Sequence, residues 1–185
     1  MKIKQSILLE DLINRTKELI QKVKNVQTLP TGSLNFKYDP KSWSILECLE
    51  HLNLYGDFYL KEIEIRIIQG DKKAALNFQS GILGNYFANS MLPKNGKINK
   101  MKTFKDKDPS NSSLSTTTID RFLKQQQRMI ELLMQAKNVD LNRVKTSITI
   151  PIFKLKLGDT FRFVIYHNQR HMLQIERVLK SLKSY

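Results

Sequence analysis

Four stretches of this chain carry apolar residues at helical spacing. In residues 6–26, Leu8, Leu12, Leu19, Val23 and Val26 recur at intervals of three, four and seven, which marks one face of a first helix. Thr28-Leu29-Pro30-Thr31-Gly32-Ser33 breaks it, and residues 34–41 read as a connector ending in Asp39-Pro40. Ser44-Ile45-Leu46-Glu47 has the S-x-x-E form of a capping box, which predicts a second helix over 45–69. Its apolar side runs through Leu49, Leu52, Tyr55, Tyr59, Ile63 and Ile67, and Gly70-Asp71 is its stop. A third helix is expected over 116–137, capped by the preceding Ser/Thr run, with Ile119, Phe122, Met129 and Leu133 inward. A fourth covers 159–182, with Asp159 as its cap and Phe161, Val164, His167, His171, Ile175 and Val178 on one side.

The intervening segments hold no clean period. Residues 70–115 are punctuated by Gly81, Gly84, Pro93, Gly96 and Pro109. So long a structureless loop is rare in a compact domain. Short helical turns are therefore expected near Leu83–Met91, followed by an extended segment laid over the helices and able to line a site. Residues 138–158 alternate weakly around Ile148, Ile150 and Ile152, where Pro151 argues against a central strand. The pattern predicts an all-α fold, a four-helix bundle with a long insertion between helices two and three, as one domain over 1–185.

Composition agrees with a globular chain. The 185 residues are 41% hydrophobic with only 7 Gly and 5 Pro, and a domain of this size buries about 70% of its unfolded surface. One cysteine, Cys48, excludes an intramolecular disulfide and a Cys-rich zinc site, and its apolar helical setting predicts a buried, inert thiol. The start of the chain has no apolar run like that of a signal peptide, and no uncharged stretch is long enough to span a membrane. A cytoplasmic protein with no membrane partner is the expectation.

The net charge of +14 raises the question of nucleic acid. The densest run, Lys94 to Lys107, holds six lysines and one aspartate, +5, but little aromatic interleaving beyond Phe104. A solvated basic loop explains it, so nucleic acid is not the expected partner.

The chemistry-bearing residues are the three histidines. His167 and His171 lie four apart, on one helix face, roughly 6 Å between Cβ atoms. On an apolar face each imidazole needs a partner. Asn168 stands where a metalloprotease H-E-x-x-H motif has its glutamate, which argues against that class. His51, near the start of the second helix, would complete a three-nitrogen set. Spacing alone leaves two readings open, satisfied core histidines or metal ligands, because it does not say that helices two and four are neighbours. Gln174, sharing the face of His171, is a candidate to orient a ligand or water. Glu47 is either an outer partner of His51 or the helix cap, and Arg170 either a structural ion-pair member or a cation of the site.

Two motifs carry a resemblance. Trp43-Ser44-Ile45-Leu46-Glu47-Cys48-Leu49-Glu50-His51-Leu52 resembles the W-S-x-x-E-x-x-x-H-L start of the second helix in the DinB-like superfamily. His167-Asn168-Gln169-Arg170-His171-Met172-Leu173-Gln174-Ile175 resembles its H-x-x-R-H-x-x-Q-I helix. The resemblance covers nearly the whole chain. It implies a four-helix bundle with a long crossover, often a homodimer, and a divalent metal held by His51, His167 and His171. Zinc or nickel is expected first. The family includes metal-dependent transferases that use low-molecular-weight thiols, a thiol-dependent isomerase, and many members assigned only as metal-dependent hydrolases. The expectation is therefore a thiol S-transferase or hydrolase acting on a small-molecule substrate, with a low-molecular-weight thiol as candidate co-substrate. The alternative is a non-catalytic, stress-associated metal-binding protein.

Overall fold

The computed structural model describes residues 1–70, 73–93 and 101–183. Asp71 of the expected helix stop and residues 94–100 of the basic run lie outside the described residues. Four long helices form the bundle: α1 (Gln5–Gln27), α3 (Ile45–Ile68), α5 (Thr117–Gln135) and α6 (Leu157–Leu182). A four-residue helical turn, α2 (Thr31–Leu34), sits in the first connector, and a single 3-10 turn extends α5 through Asn138. The chain is the all-α bundle that the periodicity predicts, with the long insertion between its second and third long helices.

The apolar faces pack as the spacing requires. α3 lies against α5 and α6, and α1 lies against the same two helices. α3 and α6 run antiparallel, since Tyr59 meets Phe163 at one end (ring centroids 5.8 Å) while Trp43, just before α3, meets His171 at the other (5.8 Å). Leu12, Leu49, Phe122 and Phe161 are fully buried between the helices. The capping box forms: the Glu47 N–H donates to Ser44 Oγ (3.2 Å) and the Ser44 N–H to Glu47 Oε2 (2.8 Å). Cys48 is fully buried, and burial pushes its thiol pKa upward. No helix among the described residues is long and apolar enough to cross a membrane.

The insertion is ordered by α6. Its strand β2 (Asn77–Gln79) pairs antiparallel with β1 (Lys2–Lys4), placing Ile3 opposite Phe78, and α4 (Ile82–Met91) packs on α6 where helical turns were expected. Phe78 presses so closely on Gly158 that a β-carbon there would overlap the ring. After residue 138, β3 (Lys145–Ser147) and β4 (Lys154–Lys156) form an antiparallel hairpin with Pro151 in its turn. These covers explain why α6 is buried over most of its circumference rather than along one stripe.

Asp159 is not the cap of its own helix. α6 begins two residues earlier, and its first N–H groups are satisfied by backbone: Leu157 N–H donates to Val144 C=O (2.9 Å) and Gly158 N–H to Leu141 C=O (3.4 Å). The Asp159 carboxylate instead accepts from Ser80 Oγ, from Gly81 N–H at the start of α4 (2.8 Å) and from Arg162 (3.0 Å). Arg162 reaches on to Asn85 (3.2 Å) and Asn89 (3.1 Å). The pair fastens the insertion to α6. At the start of α5 the cap residue Thr116 makes no side-chain cap bond, and of the preceding Ser/Thr run Ser115 Oγ accepts from the Thr117 N–H (3.4 Å).

Candidate metal centre

Helix phase sets the histidines. His51 lies two turns into α3 and faces α6; His167 and His171 lie one turn apart on the side of α6 that faces α3. The antiparallel packing brings them level. The Nε2 atoms of His51 and His167 stand 3.3 Å apart and those of His171 and His167 3.1 Å apart, and one nitrogen from each of the three rings lies within 4.8 Å of the others. All three side chains are buried, at 3%, 7% and 7% exposure.

Their outer nitrogens fix the tautomers. His51 Nδ1 donates to the Lys107 backbone carbonyl (2.7 Å), and His171 Nδ1 donates to Gln174 Oε1 (3.0 Å). Both acceptors are oxygens with no proton to give, so both Nδ1 atoms carry the hydrogen and both Nε2 atoms present lone pairs. His167 Nε2 stands between them. A proton there satisfies only one neighbour and leaves the other lone pair facing a buried nitrogen. A shared cation satisfies all three.

Electrostatics favour the same state. Burial pushes the His51 pKa down to about 4 and that of His171 to about 3, the second aided by His51. Burial, then His171 and His51, push His167 well below its ordinary value. The imidazoles are neutral at pH 7, the form that ligates metals. The two separations to His167 Nε2, 3.3 and 3.1 Å, match the roughly 3.3 Å expected when imidazoles ligate one ion tetrahedrally at about 2.0–2.1 Å. The donor set thus fits a divalent ion, and the three residues could hold one.

A cleft of about 750 Å³ opens beside the cluster. The Trp43 ring lies 4.7 Å from that of His51, and the Tyr55 ring 4.7 Å from that of His167. Burial, with Tyr59 adding to it, raises the Tyr55 phenol to about 12, so the hydroxyl keeps its proton at neutral pH. Trp43 Nε1 donates to Ser110 Oγ (3.0 Å), which ties the last part of the insertion across the site. That segment was expected to be laid over the bundle, and Met101 and Phe104 line the cleft.

The structure also sorts the other candidates. Gln174 holds His171 and lines the cleft. Glu47 takes the capping role and makes no bond to His51: it binds Lys37 (2.7 Å) and the Asn111 N–H (3.1 Å). Burial alone would raise its carboxyl, but those bonds, with that of Ser44, hold it below the usual value. Asn168 points away from the histidines and donates to Gln126 Oε1 (3.0 Å). Arg170 is buried and lines the cleft. The Lys107 carbonyl was not foreseen, and no sequence signal marks a backbone acceptor brought in by a loop. Phe163, stacked at 6.1 Å on His167, sits one turn before it and was legible as a helix neighbour.

No curated protein and no solved structure matches the chain. A sequence model of the DinB superfamily matches residues 12–175, which span α1 to the last turns of α6 and include all three histidines.

Proposed function

The chain belongs to the DinB superfamily, and from that premise we propose that it is a metal-dependent enzyme whose ion is held by His51, His167 and His171. The reaction is S-transfer from a low-molecular-weight thiol, or hydrolysis, on a small-molecule substrate. Zinc or nickel is the proposed ion, since three imidazoles suit either. When bound, the ion would lower the pKa of a coordinated thiol or water and supply a nucleophile at neutral pH.

The protein's own groups do the rest. The Lys107 carbonyl and Gln174 hold two imidazoles in the tautomer that points Nε2 inward. Trp43 and Tyr55 pack on the rings and keep water from their flanks. Tyr55 lines the cleft and keeps its hydroxyl proton, so it is able to donate to a substrate oxygen. The observation that carries the reading is that the convergent nitrogens lie on the wall of an open cleft. A purely structural ion would be enclosed by a fourth protein ligand, and among the described residues no other His, Cys, Asp or Glu joins the cluster.

The test is metal analysis followed by turnover. Purified protein reconstituted with zinc or nickel is expected to hold about one ion per chain, and His167→Ala to hold less than a tenth of that. The loaded protein is expected to consume a thiol with an electrophile, or to hydrolyse a member of an ester and amide panel. Stoichiometric metal with no turnover of either kind overturns the enzymatic reading in favour of a non-catalytic metal protein.

A further inference from the structure

The cleft is polarised along its length. Because α3 and α6 run antiparallel, residues of the two helices pair in order along the groove, and the histidines occupy its middle. At one end stand Tyr59 and Phe163, joined by Ile148 and Leu155 of the hairpin region. This end is apolar. At the other end, past His171, stand Gln174 and Arg177 on successive turns of α6, with Lys41 two residues before Trp43, whose ring meets His171; Arg170 lines the cleft level with the histidines. Among the described residues the charged side chains lining the cleft, apart from the histidines, are Lys41, Lys102, Arg170, Arg177 and Asp39, four cations against one carboxylate. Asp39 is already engaged, accepting from the Lys41 N–H (2.7 Å).

We propose that the cleft takes an amphipathic anion, its apolar body between Tyr59 and Phe163 and its carboxylate or phosphate at Arg177 and Lys41. This rests on the histidine cluster being the reaction centre, and it names the substrate class of that centre. A guanidinium matches the two oxygens of either anion. A pocket with apolar walls and a few charges gathered at one end orients its ligand and does not merely hold it. Such a ligand would cross the Nε2 cluster between its two ends, so the bond to be changed lies between the apolar body and the acidic group.

Binding, without turnover, tests this. Titration calorimetry compares 4-phenylbutyrate, 4-phenylbutyl phosphate, 4-phenylbutanol and 4-phenylbutylamine on the full chain, as metal-loaded protein and after chelation. Metal content is measured on the same samples, so failure here is separable from failure of the metal assignment. One or both acids are expected to bind at least roughly tenfold tighter than the alcohol, and the amine weakest. The tighter acid identifies the anion. Lys41→Glu with Arg177→Glu, both at exposed positions, is expected to remove the preference in both samples and leave alcohol binding within about twofold. Phe163→Ala is expected to weaken acid and alcohol alike. Equal binding of acid and alcohol overturns the proposal. So does an acid preference that needs the metal and survives the charge reversals, because the ion alone would then hold the acid.

Discussion

His51 and His167 are separated by 116 positions in the chain, yet their Nε2 atoms stand 3.3 Å apart in the buried wall of a cleft. Two neutral imidazoles at that distance have one hydrogen bond to share and a third imidazole competing for it. Metal binding should therefore relieve a real cost. Zinc or nickel is expected to raise the melting temperature and a chelator to lower it again. At a free ion concentration one hundred times Kd the gain is about 2.7 kcal/mol. Differential scanning calorimetry with His51→Ala as the control checks this, since that variant should show no shift.

Gln174 acts through His171. Its side-chain oxygen holds the Nδ1–H at 3.0 Å, so its loss frees the ring to rotate and changes the basicity of the inward Nε2. Gln174→Ala is expected to weaken metal affinity by roughly tenfold or more, measured by competition with a chromogenic chelator. Gln174→Glu retains the acceptor and should restore affinity. An affinity unchanged in both variants would show that the bond has no part in metal binding.

Acid should destabilise the metal-free protein in a defined window. Burial pushes the His51 and His171 pKa values down to about 4 and about 3 in the folded protein, below the ordinary 6.5. Between those limits the unfolded chain binds more protons than the folded one, so stability falls as the pH drops from about 6.5 towards 3. Above 6.5 both states are neutral at these sites and the contribution is flat. Urea midpoints of chelator-treated protein at pH 7, 6 and 5 should decline in that order, and His171→Asn should decline less steeply.

The Asp159–Arg162 pair joins α4 to α6 with both side chains buried, at 0% and 2% exposure. Removing one partner leaves an uncompensated buried charge, which costs about 3–5 kcal/mol. Arg162→Met is expected to lower the urea-derived stability by that order while metal content per folded chain stays near one. Gly84→Ala should also destabilise, because the new β-carbon meets the Asp159 carboxylate.

Cys48 should be silent towards thiol reagents. It is fully buried, and burial disfavours its thiolate. A chromogenic disulfide reagent is expected to read one thiol per chain only after denaturation.

Periodicity alone carried the bundle. The helix expected over 45–69 is Ile45–Ile68, and Leu49, Leu52, Tyr59 and Ile63 are buried as their spacing requires. Local rules suffice there because capping and amphipathic phase act within a few residues. The three histidines were legible as candidates for the same reason: His167 and His171 share a face by helix geometry, and the motif around His51 supplied the third. What local pattern left open was whether helices two and four touch. That depends on how four apolar faces divide the core among themselves, and the answer, α3 antiparallel to α6, is a property of the packed bundle. Asp159 shows the limit most clearly. As a sequence it reads as an N-cap, because Asp before an apolar run satisfies free N–H groups. In the fold those groups are met by the carbonyls of Val144 and Leu141, and the carboxylate turns to Ser80, Gly81 and Arg162. The partners of a buried polar group, like the Lys107 carbonyl that aims His51, come from distant segments, and only the tertiary structure decides which of them arrive.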